Sequence, residues 1–166
     1  PRAVAQASQV VFTSLPGPTE IEQVALGDDG LIHGLTADTV FVDLSTGSPT
    51  AIRQVAKRIE ATGAHVVDAP VSGGTMGADK GTLAVMVGGD PEVVERILPL
   101  LEILGSSVVY VGPVGSGTVA KLVHNAISMY TRIVIQEGMT LAVNAGVEPR
   151  IMRIVLRDAS FGKHFS

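Results

Sequence analysis

Cysteine and tryptophan are both absent from the 166 residues. Without thiols the chain can form neither a disulfide framework nor a thiolate metal site, which fits a reducing compartment. We therefore expect a cytoplasmic location. Whether the protein has a targeting peptide stays open, because the sequence starts at Pro1 and not at Met.

Long apolar runs and an excess of positive charge are also missing. No apolar stretch approaches the roughly 20 residues that a membrane-spanning helix needs. Lys and Arg number 12 against 16 Asp and Glu, which gives a net charge of -4. With no basic run in the chain, we expect no membrane and no nucleic acid among its partners.

Metal-binding patterns are missing as well. The four histidines show no metal-ligand spacing, and no two carboxylates are arranged as an acid/base dyad. We predict no metal site. The histidines are His33, His65, His124 and His164.

Apolar residues make up 46% of the chain and aromatic residues only 4%, so the core consists mainly of Val, Ile, Leu and Ala. Five segments are typical of buried strands. They cover residues 8–16, 39–45, 65–71, 82–90 and 107–112. Helical patterns separate several of them, and we expect Pro99 to kink or split the helix that begins at Asp90-Pro91. The alternation predicts an α/β fold with a parallel sheet and helices on both faces.

The pattern changes after Gly117. Apolar residues recur through residues 118–145 without a proline, which predicts a helix roughly 40 Å long at about 1.5 Å per residue. Such a helix is too long for a crossover in a small sheet. We interpret it as a spine that leads into a second, helical domain, in which a further helix begins near residue 148.

Polar clusters follow three of the predicted strands, at residues 15–20, 43–49 and 68–74. Ligands of open α/β sheets bind at the carboxyl ends of the strands. The third cluster is DAPVSGG, whose Ser-Gly-Gly turn could hold an anion on consecutive backbone amides. An isolated Gly-Gly pair is more often just a tight turn. The recurrence of polar clusters favours a binding site.

One glycine-rich segment imitates a dinucleotide-binding fingerprint. Gly112, Gly115 and Gly117 follow a strand, but their spacing is G-x-x-G-x-G and not G-x-G-x-x-G. We reject the fingerprint there, and the chain contains no other. In the helix that follows, Lys121 and Asn125 lie one turn apart on one face. Taken alone, a helical lysine is usually a solvated surface residue.

Three motifs together resemble the β-hydroxyacid dehydrogenase family. They are DAPVSGG from residue 68, GTLAVMVGGD from residue 81 and GPVGSGTVAKLVHN from residue 112. The family includes 3-hydroxyisobutyrate dehydrogenase, tartronate semialdehyde reductase and, more distantly, 6-phosphogluconate dehydrogenase. The resemblance runs from about residue 7 to residue 146. It implies a Rossmann-like fold, NAD or NADP as cofactor, and a small 3-hydroxy acid such as 3-hydroxyisobutyrate or glycerate/tartronate semialdehyde as substrate.

The resemblance also implies roles for individual residues. Lys121 matches the catalytic lysine, and Asn125 matches an amide that helps to hold the substrate. The substrate carboxylate loop corresponds to Ser72, Gly73 and Gly74. The cofactor contacts correspond to Leu15, Pro16 and Thr46. Glu20 departs from the family, whose members often have Asn there.

The resemblance also predicts the domain organisation. Relatives begin with a strand–G-x-G-x-x-G–helix unit that this sequence does not contain, so we expect an incomplete chain that is inactive alone. Residues 1–113 would form part of the dinucleotide-binding domain. Residues 114–166 would form the interdomain helix and the start of a helical domain for substrate binding and homo-oligomerisation. The choice between NAD and NADP stays open, because the strand end that decides it is not in this sequence.

Two other functions remain open. The chain could be a non-catalytic binding or assembly module that keeps the fold without the phosphate loop, or a relative of the imine reductases. Lys121 and Asn125 favour the enzyme over the module, because a scaffold has no need of them. Lys121 also disfavours an imine reductase, since those enzymes usually replace the lysine.

Overall fold

The computed structural model describes residues 1–159; residues 160–166, with the prediction made for His164, lie outside this part. Six strands form one sheet. They are β1 (Val10–Thr13), β2 (Val40–Asp43), β3 (His65–Asp68), β4 (Val71–Ser72), β5 (Ala84–Gly88) and β6 (Ser107–Gly112).

One helix precedes the first strand, and the others connect strands or follow the last one. They are α1 (Arg2–Gln6), α2 (Pro18–Leu26), α3 (Pro49–Glu60), α4 (Gly74–Lys80), α5 (Pro91–Leu104), α6 (Ser116–Asn144) and α7 (Pro149–Asp158). A turn of 3-10 helix covers Leu31–His33. The predicted α/β class and the Rossmann-like sheet are confirmed.

The first three strands are parallel and in register, so that Thr13, Asp43 and Asp68 are neighbours at their carboxyl ends. The sheet then reverses direction, so it is mixed and not parallel throughout as the sequence predicts. β5 pairs antiparallel with β4 and with the last residue of β3, and β6 lies parallel to β5. A parallel return would need a crossover of about a dozen residues or more. The stretch from Ser72 to Ala84 is shorter and contains only α4, so the chain turns straight back.

Both faces of the sheet are covered. On one side Phe41 and Val66 pack with Ile52 and Ile59 of α3. On the other side the alternate strand residues Val42 and Val67 join a second core with the buried residues of α5. Because strands buried on both faces have no polar side, the sequence shows them as continuous apolar runs.

Helix α5 runs through Pro99 without a break, so the predicted split is wrong. A proline inside a helix removes one backbone hydrogen bond and crowds the preceding turn. Ile97 and Leu101 flank the proline and are both fully buried in the core under β5. Packing of this kind supplies most of the stability of a helix in a protein, and here it holds α5 together.

The chain divides into two compact units, Pro1–Val123 and a second unit that starts at His124. The predicted long helix is confirmed, because α6 is a single helix of 29 residues. In the second unit, Glu148 caps α7 by accepting hydrogen bonds from the amides of Arg150 and Ile151. Within residues 1–159, we find no helix with the length and apolar character to span a membrane.

Candidate active site

The carboxyl ends of β1, β2 and β3 bring two aspartates together at one edge of the sheet. Asp43 and Asp68 are register neighbours, and their side chains are only 3% and 1% exposed. A buried carboxylate is costly unless hydrogen-bond donors satisfy it. Each of the two accepts three hydrogen bonds, and these bonds organise the loops around the site.

Asp43 binds the loops that follow β1 and β2. Its Oδ1 accepts hydrogen bonds from Thr13 Oγ1 at 2.9 Å, from Ser45 Oγ at 2.6 Å and from the Ser45 amide at 3.2 Å. Ser45 Oγ in turn accepts a hydrogen bond from the Leu15 amide at 2.8 Å. This chain of bonds places Leu15 in the loop after β1 and Thr46 in the loop after β2 at the same edge of the sheet.

Asp68 binds the start of α6. Its Oδ1 accepts a hydrogen bond from the Gly115 amide at 2.6 Å. Its Oδ2 accepts two from Thr118, one from the amide at 2.6 Å and one from Oγ1 at 2.8 Å. Burial raises the pKa of Asp68 above its ordinary value, and the hydrogen bonds from Thr118 and Gly115 oppose that rise. Every partner is a donor, so the ionised carboxylate is the form that fits this environment.

Two glycines let α6 approach the strand ends closely. A Cβ on Gly117 would collide with the carbonyl oxygen of Met86 and would lie 2.6 Å from that of Asp68. A Cβ on Gly88 would collide with the Asp68 carboxylate and would lie 2.8 Å from the Gly117 nitrogen. The first turn of α6 therefore sits directly on the ends of β3 and β5.

Lys121 lies three residues after Thr118 in α6, and its side chain is only 8% exposed. Among residues 1–159, no acidic side chain forms an ion pair with it. Burial alone lowers the pKa of Lys121 below the ordinary value of 10.5. Lysines are almost never fully buried unless they are paired. The environment of Lys121 thus differs from that of the solvated helical lysine that is the usual interpretation of the sequence.

The Ser-Gly-Gly turn lies four residues after Asp68. Ser72 pairs with Ala84 in the sheet, and the two glycines that follow have φ angles of +137° and +63°. Both glycines are exposed, and a Cβ on Gly74 would meet nothing within 4 Å. The turn is therefore open to a ligand, and it uses backbone conformations that other residues rarely adopt.

The first unit contains every predicted site residue except Asn125, and two buried aspartates connect the elements that carry them. Leu15, Pro16 and Thr46 lie in loops joined through Asp43, while residues 72–74 and Lys121 adjoin elements joined through Asp68. Asn125 follows Lys121 by one turn of α6 but belongs to the second unit, so its place is defined along the helix only. In the described part of the chain, no three His, Asp or Glu side chains cluster in a way that could hold a metal ion.

Sequence reasoning gave no role to Asp43, Asp68 or Thr118. A signal was present, because each aspartate ends an apolar strand and precedes a polar loop. The partners of Asp68, however, lie 47 and 50 residues away, and sequence spacing alone does not reveal such pairs.

Comparison with known proteins identifies the family of this chain. Residues 1–112 match the family described as the NAD binding domain of 6-phosphogluconate dehydrogenase. The chain belongs to this family. The predicted resemblance to the β-hydroxyacid dehydrogenases, of which 6-phosphogluconate dehydrogenase is a distant member, is confirmed.

Individual relatives of this NAD-binding domain protein are dehydrogenases and reductases. A 2-(hydroxymethyl)glutarate dehydrogenase of Eubacterium barkeri is 39% identical over 95% of this chain and 52% of its own length. A 2-hydroxy-3-oxopropionate reductase of Escherichia coli is 36% identical over 93% of this chain and 53% of its own. The solved 3-hydroxyisobutyrate dehydrogenase of Mycobacterium tuberculosis, with L-serine, has a TM-score of 0.89 at 32% identity, over 96% of this chain and 54% of that chain. The chain spans about half the length of these relatives.

The close contact of Gly117 in α6 with the ends of β3 and β5 can be tested by substitution. Gly117→Ala should lower the free energy of unfolding by about 1–3 kcal/mol, since the added methyl group overpacks the contact with the ends of β3 and β5. Gly138→Ala is the matched control in the same helix, because a Cβ there meets nothing within 4 Å. The control should instead raise the free energy of unfolding by up to about 1 kcal/mol. Urea denaturation measures the free energy of unfolding of both variants. Equal effects of the two substitutions would contradict the close contact of Gly117 with the ends of β3 and β5.

Proposed function

We propose that the whole protein containing this chain is an oxidoreductase. It transfers a hydride between NAD or NADP and a small 3-hydroxy acid, such as 3-hydroxyisobutyrate or glycerate/tartronate semialdehyde. The family match and the dehydrogenases and reductases among its relatives support this function. The observation that carries it is Lys121, a buried lysine on the helix that Asp68 binds at the strand ends. It forms no ion pair with any residue that the structure describes.

Oxidation of a hydroxy acid removes a hydride from carbon and a proton from the hydroxyl group. The nicotinamide supplies the hydride chemistry when it is bound, and a side chain must accept the proton. Lys121 fits this task in its neutral form, which burial makes accessible at a lower pH than for an exposed lysine. In the reverse direction, the Lys121 ammonium returns the proton to the carbonyl oxygen and polarises that group.

The other predicted residues supply binding. Ser72, Gly73 and Gly74 would hold the substrate carboxylate through the Ser72 hydroxyl group and the backbone amides of the open turn. Asn125 would hold the substrate through its amide one turn after Lys121. Together with the proton carrier, a carboxylate cradle and an amide provide what a small hydroxy acid requires.

The cofactor would lie over the loops that Asp43 organises, where Leu15, Pro16 and Thr46 reach the edge of the sheet. The family is named for NAD binding, and ligands of open α/β sheets bind outside the carboxyl ends of the strands, where these loops lie. We assign residues 1–113 to the dinucleotide-binding domain. We assign residues 114–166, of which the structure describes 114–159, to the interdomain segment and the start of a helical domain.

The alternatives are less well supported. Burying a lysine without an ion pair is unfavourable, and a non-catalytic module would gain nothing from it. An imine reductase would usually have another residue in place of Lys121. Lys121 therefore favours the dehydrogenase over both alternatives.

We further propose that the protein forms homo-oligomers through its helical domain. Several large apolar side chains of the second unit are exposed, among them Ile127, Tyr130, Val134 and Leu141. Large exposed apolar patches are uncommon on monomers, so the rest of the helical domain or a second copy should cover these residues, and we propose the second copy. Sedimentation at decreasing concentration tests this, and a monomer that persists at high concentration would contradict it.

Substitution of Lys121 tests the proton carrier in the whole protein. Lys121→Ala should lower kcat by about 10² to 10⁴, the usual contribution of general acid–base catalysis. Lys121→Arg should not restore activity, because a guanidinium group holds its proton too tightly. Steady-state kinetics with the hydroxy acid measures both. Lys57→Ala, at an exposed lysine of α3, is the control and should behave like the wild type.

The pH profile gives a second readout of the same substitution. Oxidation needs the neutral amine, so kcat should rise with pH and level off above the pKa of Lys121. That midpoint should lie below 10.5, since burial lowers the pKa. Wild-type kcat and an unchanged profile in Lys121→Ala would rule out the lysine as the proton carrier.

Substitution of Ser72 tests the carboxylate cradle. Ser72→Ala should raise KM for the hydroxy acid by about 10-fold, the size of one hydrogen bond to a charged group, with a smaller effect on kcat. Asn125→Ala should also act mainly on KM. Ser106→Ala, at an exposed serine between α5 and β6, is the control. A loss of kcat at constant KM in Ser72→Ala would assign the serine to another step.

A further inference from the structure

We propose that Asp68 is a positioning residue for the reaction. Its carboxylate fixes the first turn of α6 on the end of β3 and so sets the distance from Lys121 to the carboxylate cradle at residues 72–74. This inference rests on the proposed function, because it assigns the geometry on which the proton carrier depends.

One side chain connects the two halves of the site. Asp68 ends β3 and precedes Ser72 by four residues, so its backbone leads directly into the cradle. Its carboxylate binds Gly115 and Thr118, which lie 47 and 50 residues further along the chain. Lys121 follows Thr118 by three residues in α6.

The hydrogen bonds restrict both the position and the rotation of the helix. Oδ1 binds the Gly115 amide, while Oδ2 binds the amide and the hydroxyl group of Thr118. Contacts to both oxygens hold α6 at two points. Because residues three apart share one face of a helix, the orientation of Thr118 also determines the direction in which Lys121 projects.

The other helices show that stabilising α6 alone would not require Asp68. Helices α3, α5 and α7 are capped by the residue that directly precedes them: Ser48, Asp90 and Glu148. Such a local cap stabilises a helix without fixing its place against a sheet. In α6 a carboxylate from a strand binds the first-turn amide of Thr118, so the same hydrogen bonds also locate the helix.

Asp43 provides a matched comparison. It too is a buried aspartate at a strand end that accepts three hydrogen bonds, but its partners are Thr13 at the end of β1 and Ser45 in the loop that carries Thr46. The two aspartates should therefore affect different kinetic constants. Substitution of Asp43 should act mainly on KM for the cofactor, and substitution of Asp68 should act on kcat.

The test uses Asp68→Asn in the whole protein with its cofactor. Asparagine keeps the size but has one acceptor oxygen, and its NH₂ group would face an amide donor of α6. We expect kcat to fall by about 10²-fold, the effect of a displacement near 1 Å. KM for the cofactor should stay within about three-fold of wild type, a smaller change than the loss of one hydrogen bond to a charged group would cause. Asp43→Asn should show the opposite division between the two constants.

A double substitution separates positioning from general damage. If Asp68 acts through Lys121, then Asp68→Asn should cause little further loss of kcat in the Lys121→Ala background. Independent, multiplicative losses would overturn the proposal. If Lys121→Ala alone keeps wild-type kcat, the proposed proton carrier fails, and the positioning role fails with it.

Thr118 provides a milder probe if Asp68→Asn does not fold, as judged by circular dichroism. Thr118→Val removes only the hydroxyl hydrogen bond to Asp68 and should lower kcat by about 2- to 10-fold, the range for one hydrogen bond. Thr118→Ser keeps the hydroxyl group and should restore wild-type kcat. Equal activity of the two variants, or an undiminished effect of Thr118→Val in the Lys121→Ala background, would overturn the proposal.

Discussion

The hydrogen bonds that Asp43 and Asp68 accept at the ends of β2 and β3 are the interactions on which the rest of the site depends. Each aspartate is buried, and burial of a charge is tolerated only where donors compensate for lost hydration. The donors to Asp43 are Thr13 at the end of β1 and Ser45 in the loop after β2. The donors to Asp68 are Gly115 and Thr118 at the start of α6. The same bonds that satisfy the carboxylates therefore hold the loops and the helix at one edge of the sheet.

The reversal in the sheet brings α6 to this edge. β5 runs antiparallel beside residues 68–72, so Gly88 at its end lies next to Asp68. β6 is parallel to β5 and ends beside Gly88, and α6 begins a few residues later. Without side chains at Gly88 and Gly117, the backbones come close enough for the amides of Gly115 and Thr118 to reach the carboxylate.

This arrangement contains a buried lysine that forms no ion pair within residues 1–159. An isolated lysine on a helix surface extends into water, where its charge is most stable. Asp68 binds the first turn of α6 at the strand ends, and Lys121 follows Thr118 by three residues with a buried side chain. Burial lowers the pKa of Lys121. In the proposed function, the hydrogen bonds at the strand ends thus compensate for the unfavourable burial of Lys121.

The sequence by itself determined the α/β class, the five main strands, the long helix and the family. Each of these follows from apolar periodicity or from motifs such as DAPVSGG, which are local in the chain. Local patterns did not indicate the unbroken helix through Pro99, the short elements β4 and α4, or the antiparallel return of β5. Burial of Ile97 and Leu101 decided the first of these, and the length of the connection between strands decided the others. Only the tertiary structure gave roles to Asp43, Asp68 and Thr118 and showed that Lys121 is buried. Hydrogen bonds across 30 to 50 residues and the burial of a side chain depend on which surfaces meet in the fold, and local sequence does not determine that.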